Sequence, residues 1–424
     1  MKRVPLIIRI VLLATVLTGC VFPAAQTTAT VVPTAAPTTA EIPSLVPTAS
    51  LEPRPTATLA PSATPAPTLT PTPAIEGPDS YQPGVNPLTG LSVTQSANLQ
   101  IPPALVSVSN FPVTTRPQAG LSYAPWVFEF YTGEGMTRFL AVMYGDLPDT
   151  APDESTAGFA PTDMGSVGPI RSGRLPYEDI RKLFGGFILM ASGYEGVVKE
   201  LSNYTNVYGS VNDVNSVFVN VGQIQRIGES YRQLLGSPQF SGLLFDPTAP
   251  AAGRPANALW VPYSYANQVI WRYDAASGAY LRWQDQNDGA TFVQCTDRLN
   301  GQALAFENVI VLFADHIVTS SSIIDVNTLY VKTGKALLFR DGVMQEINWS
   351  TLDKAYYEET GHMRLFQFTD AEGNTVALKP GQTWVQVVTP YSNYYETVDS
   401  ELYPEKNAET PGSGYWAVRF AKPY

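Results

Sequence analysis

Two short stretches hold the residue types best suited to chemistry. The first reads Trp126-Val-Phe-Glu-Phe-Tyr-Thr-Gly-Glu-Gly-Met-Thr-Arg. It places Glu129, Glu134, Thr137 and Arg138 on two strands joined by Gly133-Glu134-Gly135, a hairpin signal. Alternation puts Glu129 on the face opposite Trp126, Phe128 and Phe130. With the turn centred between Gly133 and Glu134, Glu129 lies across from Arg138. That is either a structural cross-strand pair or part of a site. The second stretch, Gly168-Pro-Ile-Arg-Ser-Gly-Arg, sets Arg171, Ser172 and Arg174 just ahead of a helix starting at Pro176. Guanidinium forks bind carboxylate or phosphate bidentately, and a helix N-terminus adds N–H donors. Glu129, Glu134, Thr137, Arg138, Arg171, Ser172 and Arg174 therefore make the candidate ligand-binding set. In an acidic body the natural ligand of arginines is a carboxylate, such as a peptide terminus or an envelope polymer group. The alternative has Arg171 reaching Glu129 or Glu134 and stitching the loop to the sheet.

Catalysis has thinner support. Two suitably spaced carboxylates can hydrolyse a glycoside, and Glu129 with Glu134 is the available pair. No Gly-x-Ser-x-Gly elbow and no His-Glu-x-x-His motif occurs. The chain has 2 cysteines and 2 histidines, too few for a Cys/His metal site, and no cofactor is expected. His316 follows Asp315 at the end of an apolar strand and reads as an edge residue. His362 sits in a polar turn. Cys295 ends the strand-like run Thr291-Phe-Val-Gln-Cys, with no His or Lys nearby in sequence, which favours an inert thiol.

The elements that must position these residues fall into two sets. Strands are expected over 104–110, 124–132 and 136–145, followed by a long polar loop, 146–168. A helix over 176–184 leads to a strand at 187–190. Short helices at 195–201 and 230–235 bracket a strand at 216–221. Strands alternating with helices predict a mixed α/β first domain, 86–246. From 257 onward the text is almost all strand: 269–273 with 279–284, the apolar run 308–313, and 335–340 with 344–347 around Asp341-Gly342. Runs at 365–369, 375–378 and 383–388 follow. This second domain, 257–390, reads as antiparallel β, so the class is α+β. The aromatic tail 391–424 has no clear periodicity and suits either a partner surface or core packing.

The N-terminus is a secretory signal. Lys2, Arg3 and Arg9 form a positive region, 10–17 is apolar, and Leu17-Thr-Gly-Cys closes it, too short to span a bilayer permanently. This order resembles the lipobox of bacterial lipoproteins, in which the cysteine is acylated and cleavage leaves it first. Cys20 is therefore the expected lipid attachment. Removing residues 1–19 takes Lys2, Arg3 and Arg9 with it and moves the formal charge from −11 to −14. Such a body repels phosphate backbones, which argues against a nucleic-acid partner. Residues 21–80 form a linker. Between 24 and 80 it holds 12 prolines and 13 threonines and no aromatic residue, a composition that builds no core and favours extended polyproline II.

Seven segments in order carry a family resemblance. They are Asn86-Pro-Leu-Thr-Gly, Arg116-Pro-Gln-Ala-Gly-Leu, Glu134-Gly-Met-Thr-Arg-Phe, Gly168-Pro-Ile-Arg-Ser-Gly-Arg, Asn308-Val-Ile-Val-Leu-Phe, Gly334-Lys-Ala-Leu-Leu-Phe-Arg-Asp-Gly and Pro380-Gly-Gln-Thr-Trp-Val-Gln-Val. Over about 86–390 the chain resembles the YerB-like lipoprotein family. The resemblance implies an envelope lipoprotein with an N-terminal α/β part of layered sandwich type and a β-rich C-terminal part. It implies no established reaction. One departure is Met190-Ala-Ser-Gly-Tyr, where the family often carries a histidine and Gly-Gly-Ser.

The expected function is that of a lipid-anchored protein on the extracytoplasmic side of the cell membrane. It binds a cell-wall polymer or an envelope protein without catalysis. The alternatives are a cell-wall hydrolase or transferase using Glu129 and Glu134, and a solute-binding lipoprotein. The β-only second half speaks against the last, because two-lobed solute binders repeat βαβ units in both halves.

Overall fold

A computed structural model describes residues 74–148, 165–210, 212–213, 215–328, 333–399 and 409–424. Cys20, the signal, the linker up to 73 and most of the 146–168 loop lie outside them. All described residues belong to one unit, Leu69–Tyr424.

The principal elements of the first half are β1 (Ala104–Ser109), β2 (Trp126–Gly133), β3 (Met136–Met143), α1 (Pro176–Phe184), β4 (Phe187–Met190), β5 (Tyr204–Asn206) and α2 (Val221–Leu235). The second half contributes β6 (Ala258–Ser264), β7 (Asn267–Asp274), β8 (Ala279–Asp285), β9 (Asn308–Phe313), β10 (Gly334–Arg340), β11 (Val343–Ser350) and β12 (Thr383–Val388). Two tail strands, β13 (Asn393–Thr397) and β14 (Tyr415–Arg419), complete the set. Strand dominates and helices are few. The expected bounds of α1, β4, β9 and β12 are met to the residue, because apolar runs between Gly, Pro and Asn punctuation are a local signal.

α2 begins inside the stretch expected as strand. Asn220 caps it: its side chain accepts from the Gln223 backbone N–H, and Gln223 answers with its own side chain. This reciprocal box satisfies two otherwise orphaned N–H groups and starts the helix well before Ser230.

Strands from both halves share one 11-stranded sheet. Its order runs from the short strand Arg254–Pro255 through β11, β10, β9, β12, β2, β3 and β1 to β4 and β5, with Gln367–Thr369 added beside β11. The C-terminal half is therefore not purely antiparallel: β9 pairs in parallel with β12, and β12 in parallel with β2. The reason lies in burial. Every residue of β9 and β12 is buried, which suits central strands covered on both faces.

One face of this sheet packs on a second sheet of seven strands, where β6, β7 and β8 are joined by β14 and β13 from the tail. Val309, Trp384 and Phe139 from the large sheet meet Leu259, Trp271 and Trp416 from the small one in a common apolar cluster. On the other face Trp126, Phe128 and Phe130 pack with Tyr177, Ile180 and Phe184 of α1. Packed structure also reaches back into the stretch read as linker. Glu76 exchanges backbone hydrogen bonds with Phe245 at 3.0 and 2.8 Å, and the Tyr81 hydroxyl donates to the Leu243 carbonyl.

Candidate functional site

The β2–β3 turn decides which candidate residues meet. Gly133 pairs with Met136, leaving Glu134 (φ 53°) and Gly135 (φ 80°) as a two-residue turn with both φ values positive. An irregularity between Tyr131 and Gly133 shifts the register. Glu129 consequently stands opposite Phe139, and Arg138 opposite Phe130, so the expected Glu129–Arg138 pair does not form. Because successive side chains alternate, the sheet itself separates the two.

On the inner face, Glu129 is 0% exposed. One carboxylate oxygen accepts from Thr137 Oγ1 at 2.7 Å, the other from Arg282 Nη2 at 3.0 Å and Gln386 Nε2 at 3.1 Å. Thr137 in turn accepts from Asn110 and Asn267. Arg282, 1% exposed, lies over the rings of Trp384, Phe139 and Trp271 at 4.7–5.8 Å. Burial alone would pull its pKa down; Glu129, with Cys295 adding, outweighs that and raises it. Arg282 also donates to Cys295 Sγ at 3.1 Å. The thiol thus has a cationic neighbour that its own stretch of sequence does not contain. Beside it, a cleft of about 200 Å³ is lined by Arg116, Gln284, Gln294 and Cys295.

The Glu129 network joins the two sheets. A glycosidase pair needs both carboxyls open to one substrate. Glu129 is sealed off, and Glu134 occupies the exposed turn.

The other face gathers the arginines. The loop carrying Arg171 and Arg174 is threaded between the carboxyl ends of two parallel strands. The Arg171 N–H donates to Ser107 O, Ala191 N–H to Arg171 O, and Gly173 N–H to Ser192 O. Arg138 Nη1 donates to Ser172 O at 3.1 Å, and Arg174 Nη1 to Gly173 O at 3.0 Å. Arg171 does not reach Glu129 or Glu134. Its Nε donates to Ser109 Oγ at 3.2 Å and its Nη2 to Asn215 Oδ1 at 3.1 Å. Nor does the helix offer spare donors: the Tyr177 and Glu178 amides bond to Arg174 O and Leu175 O, and Pro176 has no N–H.

The electrostatics are those of a cationic cluster, offset in part at Arg171 by Asp213. Burial brings Arg138 down to about 10; Tyr177 opposes this, and Arg174 and Arg171 add to it. Arg171 is also lowered by burial, with Asp213 opposing. Among the described residues no carboxylate forms an ion pair with Arg138, Arg171 or Arg174. One terminal nitrogen of each, Nη2 of Arg138, Nη1 of Arg171 and Nη2 of Arg174, makes no hydrogen bond to the described protein. Such an arrangement can hold an anion. No three His, Cys, Asp or Glu side chains gather as a metal set among the described residues.

Two family models match the chain. One, described as the N-terminal domain of a protein of unknown function (DUF3048), covers residues 88–231, and the C-terminal domain of the same family covers 259–385. The chain belongs to the YerB-like DUF3048 family. A curated relative named "Putative lipoprotein YerB", from Bacillus subtilis (strain 168), is 27% identical over 332 residues, 73% of this chain and 88% of that protein. The crystal structure of YerB protein from Bacillus subtilis matches with a TM-score of 0.55 at 24% identity, covering 72% of this chain and 96% of that one. That likeness supports the fold. The N-terminal DUF3048 match contains all three arginines and Glu129, and the C-terminal match supplies Arg282.

Arg282, Gln386 and Asn267 carry no local sequence signal. Only the phase of β8 could have marked Arg282, since it shares a strand face with the inward Tyr280 and Gln284.

Proposed function

We propose that this protein is a lipid-anchored extracytoplasmic envelope protein. It binds an anionic group of a wall polymer or envelope partner through Arg138, Arg171 and Arg174, and it catalyses no reaction on that partner. The observation that carries this reading is the gathering of three guanidiniums at the carboxyl ends of β1 and β4, each with one terminal nitrogen that bonds no described residue. Loops beyond the carboxyl ends of parallel strands are where open α/β sheets place their ligands. The anchor is supported by the order of signal, small residues and Cys20, and by the lipoprotein name of the Bacillus subtilis relative. Acyl chains must do the holding, because a body of charge −14 is repelled by anionic headgroups. In the same reading the first half is a layered α/β unit: α1 packs on one face, and Tyr231 of α2 stacks on Phe187 from the other.

The test uses the purified protein and isolated wall sacculi. Co-sedimentation without released fragments supports binding. Soluble fragments that disappear in Glu134→Gln would overturn the non-catalytic reading. Full binding by a folded Arg171→Ala/Arg174→Ala protein would overturn the arginine site. Incorporation of labelled acyl chains, lost in Cys20→Ser, tests the anchor.

A further inference from the structure

We infer that the arginine site takes an anionic glycan, with Tyr194 and Tyr208 as sugar-stacking platforms beside the guanidiniums. This rests on the anion-binding reading above and adds the class of molecule that bears the charge. Tyr194 is 66% exposed and Tyr208 80%, among the most exposed large side chains of the described body. Both sit in loops leaving the carboxyl ends of β4 and β5, the edge that holds the arginines.

Backbone contacts tie both loops to the cluster. Tyr194 follows Ser192, whose carbonyl accepts from Gly173 N–H and whose N–H donates to Asn206 Oδ1. Tyr208 follows Val207, whose N–H donates to Met190 O, one residue before the Ala191 that bonds Arg171. Asn215, later in the chain, accepts from Arg171 through its Oδ1. Both loops are therefore tied to the arginine loop, and both tyrosines keep apolar ring surface in water. A tyrosine ring offers a flat apolar face with a polar tip. That face matches the C–H face of a pyranose, while guanidiniums take carboxylate or phosphodiester substituents. An extended acidic peptide fits less well: the sheet edge available here, β5, is only 3 residues long, too short to template an added strand.

The experiment uses the full-length protein in detergent and four probes: an oligogalacturonate, a phosphomannan oligosaccharide, a neutral chito-oligosaccharide and a poly-glutamate peptide. One or both charged glycans should bind at least about tenfold tighter than the other two probes, and which one binds identifies the substituent. Tyr194→Ala/Tyr208→Ala should weaken that binding by about tenfold with unchanged thermal stability, and the Phe variants should restore it. Equal binding of poly-glutamate with no effect of the tyrosine variants would overturn the glycan inference and leave the anion site standing. Glycan binding indifferent to Arg171→Ala/Arg174→Ala would overturn both.

Discussion

Glu129 of the large sheet and Arg282 of the small one form an ion pair at 3.0 Å, with 0% and 1% of their side chains open to solvent. The pair is completed by Gln386 and Thr137 on the acid and by three aromatic rings around the guanidinium. It is a polar rivet through an apolar interface. Desolvation offsets much of its attraction, so its net stabilisation is small while an unpaired member is costly.

Removing one partner should be costly. Glu129→Ala leaves a buried guanidinium uncompensated, an expected loss of about 3–5 kcal/mol. Glu129→Leu combined with Arg282→Met should recover most of that loss. Urea unfolding of the single and double variants checks this, and a double variant as unstable as the single would contradict it.

Binding through Arg171 and Arg174 should be salt-sensitive, since both are partly exposed. Raising ionic strength from about 0.1 M to about 1 M shortens screening from about 10 Å to about 3 Å and should weaken sacculus binding. Arg171→Ala/Arg174→Ala should flatten that dependence while changing stability by less than about 1 kcal/mol. Titrating bound protein against salt is the measurement.

Stability should fall on mild acidification through His316. Its ring lies near Phe420, Nδ1 bonds the Ala314 carbonyl at 2.8 Å, and Nε2 is buried with no partner among the described residues. Burial lowers its pKa from 6.5 to about 4, so the fold favours the neutral ring. The contribution is fully present above the unfolded value of 6.5. It is lost progressively as pH falls towards 4 and then levels off, with a total of up to about 3 kcal/mol. In His316→Gln, thermal unfolding followed across this range should lack that component.

The β2–β3 turn gives a stabilising prediction. Glu134 holds a positive φ that asparagine tolerates better. Glu134→Asn should raise stability by about 0.5 kcal/mol without altering sacculus binding. Calorimetric melting and co-sedimentation together decide it.

Much of the secondary structure was legible. The runs that became β4, β9, β12 and α1 are bounded by punctuation that acts within a few residues. The hairpin around Asp341-Gly342 was equally plain. Within the candidate site, the arginine loop is legible as a unit because Arg171, Ser172 and Arg174 are neighbours in the chain. Alternation places Glu129 on the face away from Trp126, Phe128 and Phe130, as the structure has it, but gives no sign of its partner. Arg282 is 153 residues away and Gln386 257.

The sequence by itself determined the local matters: most of the strands of the body and the polar residues that stand out among them. Tertiary structure decided which of those polar residues meet. A one-residue irregularity before Glu134 rotated Arg138 away from Glu129, and the parallel docking of β12 on β2 brought Gln386 to the acid instead. The tail, unreadable from its periodicity, extends the small sheet by pairing β14 with β6. Periodicity reports which face of an element is buried. Register and sheet order depend on free energies of contact between distant segments, and those exist only once the chain has folded.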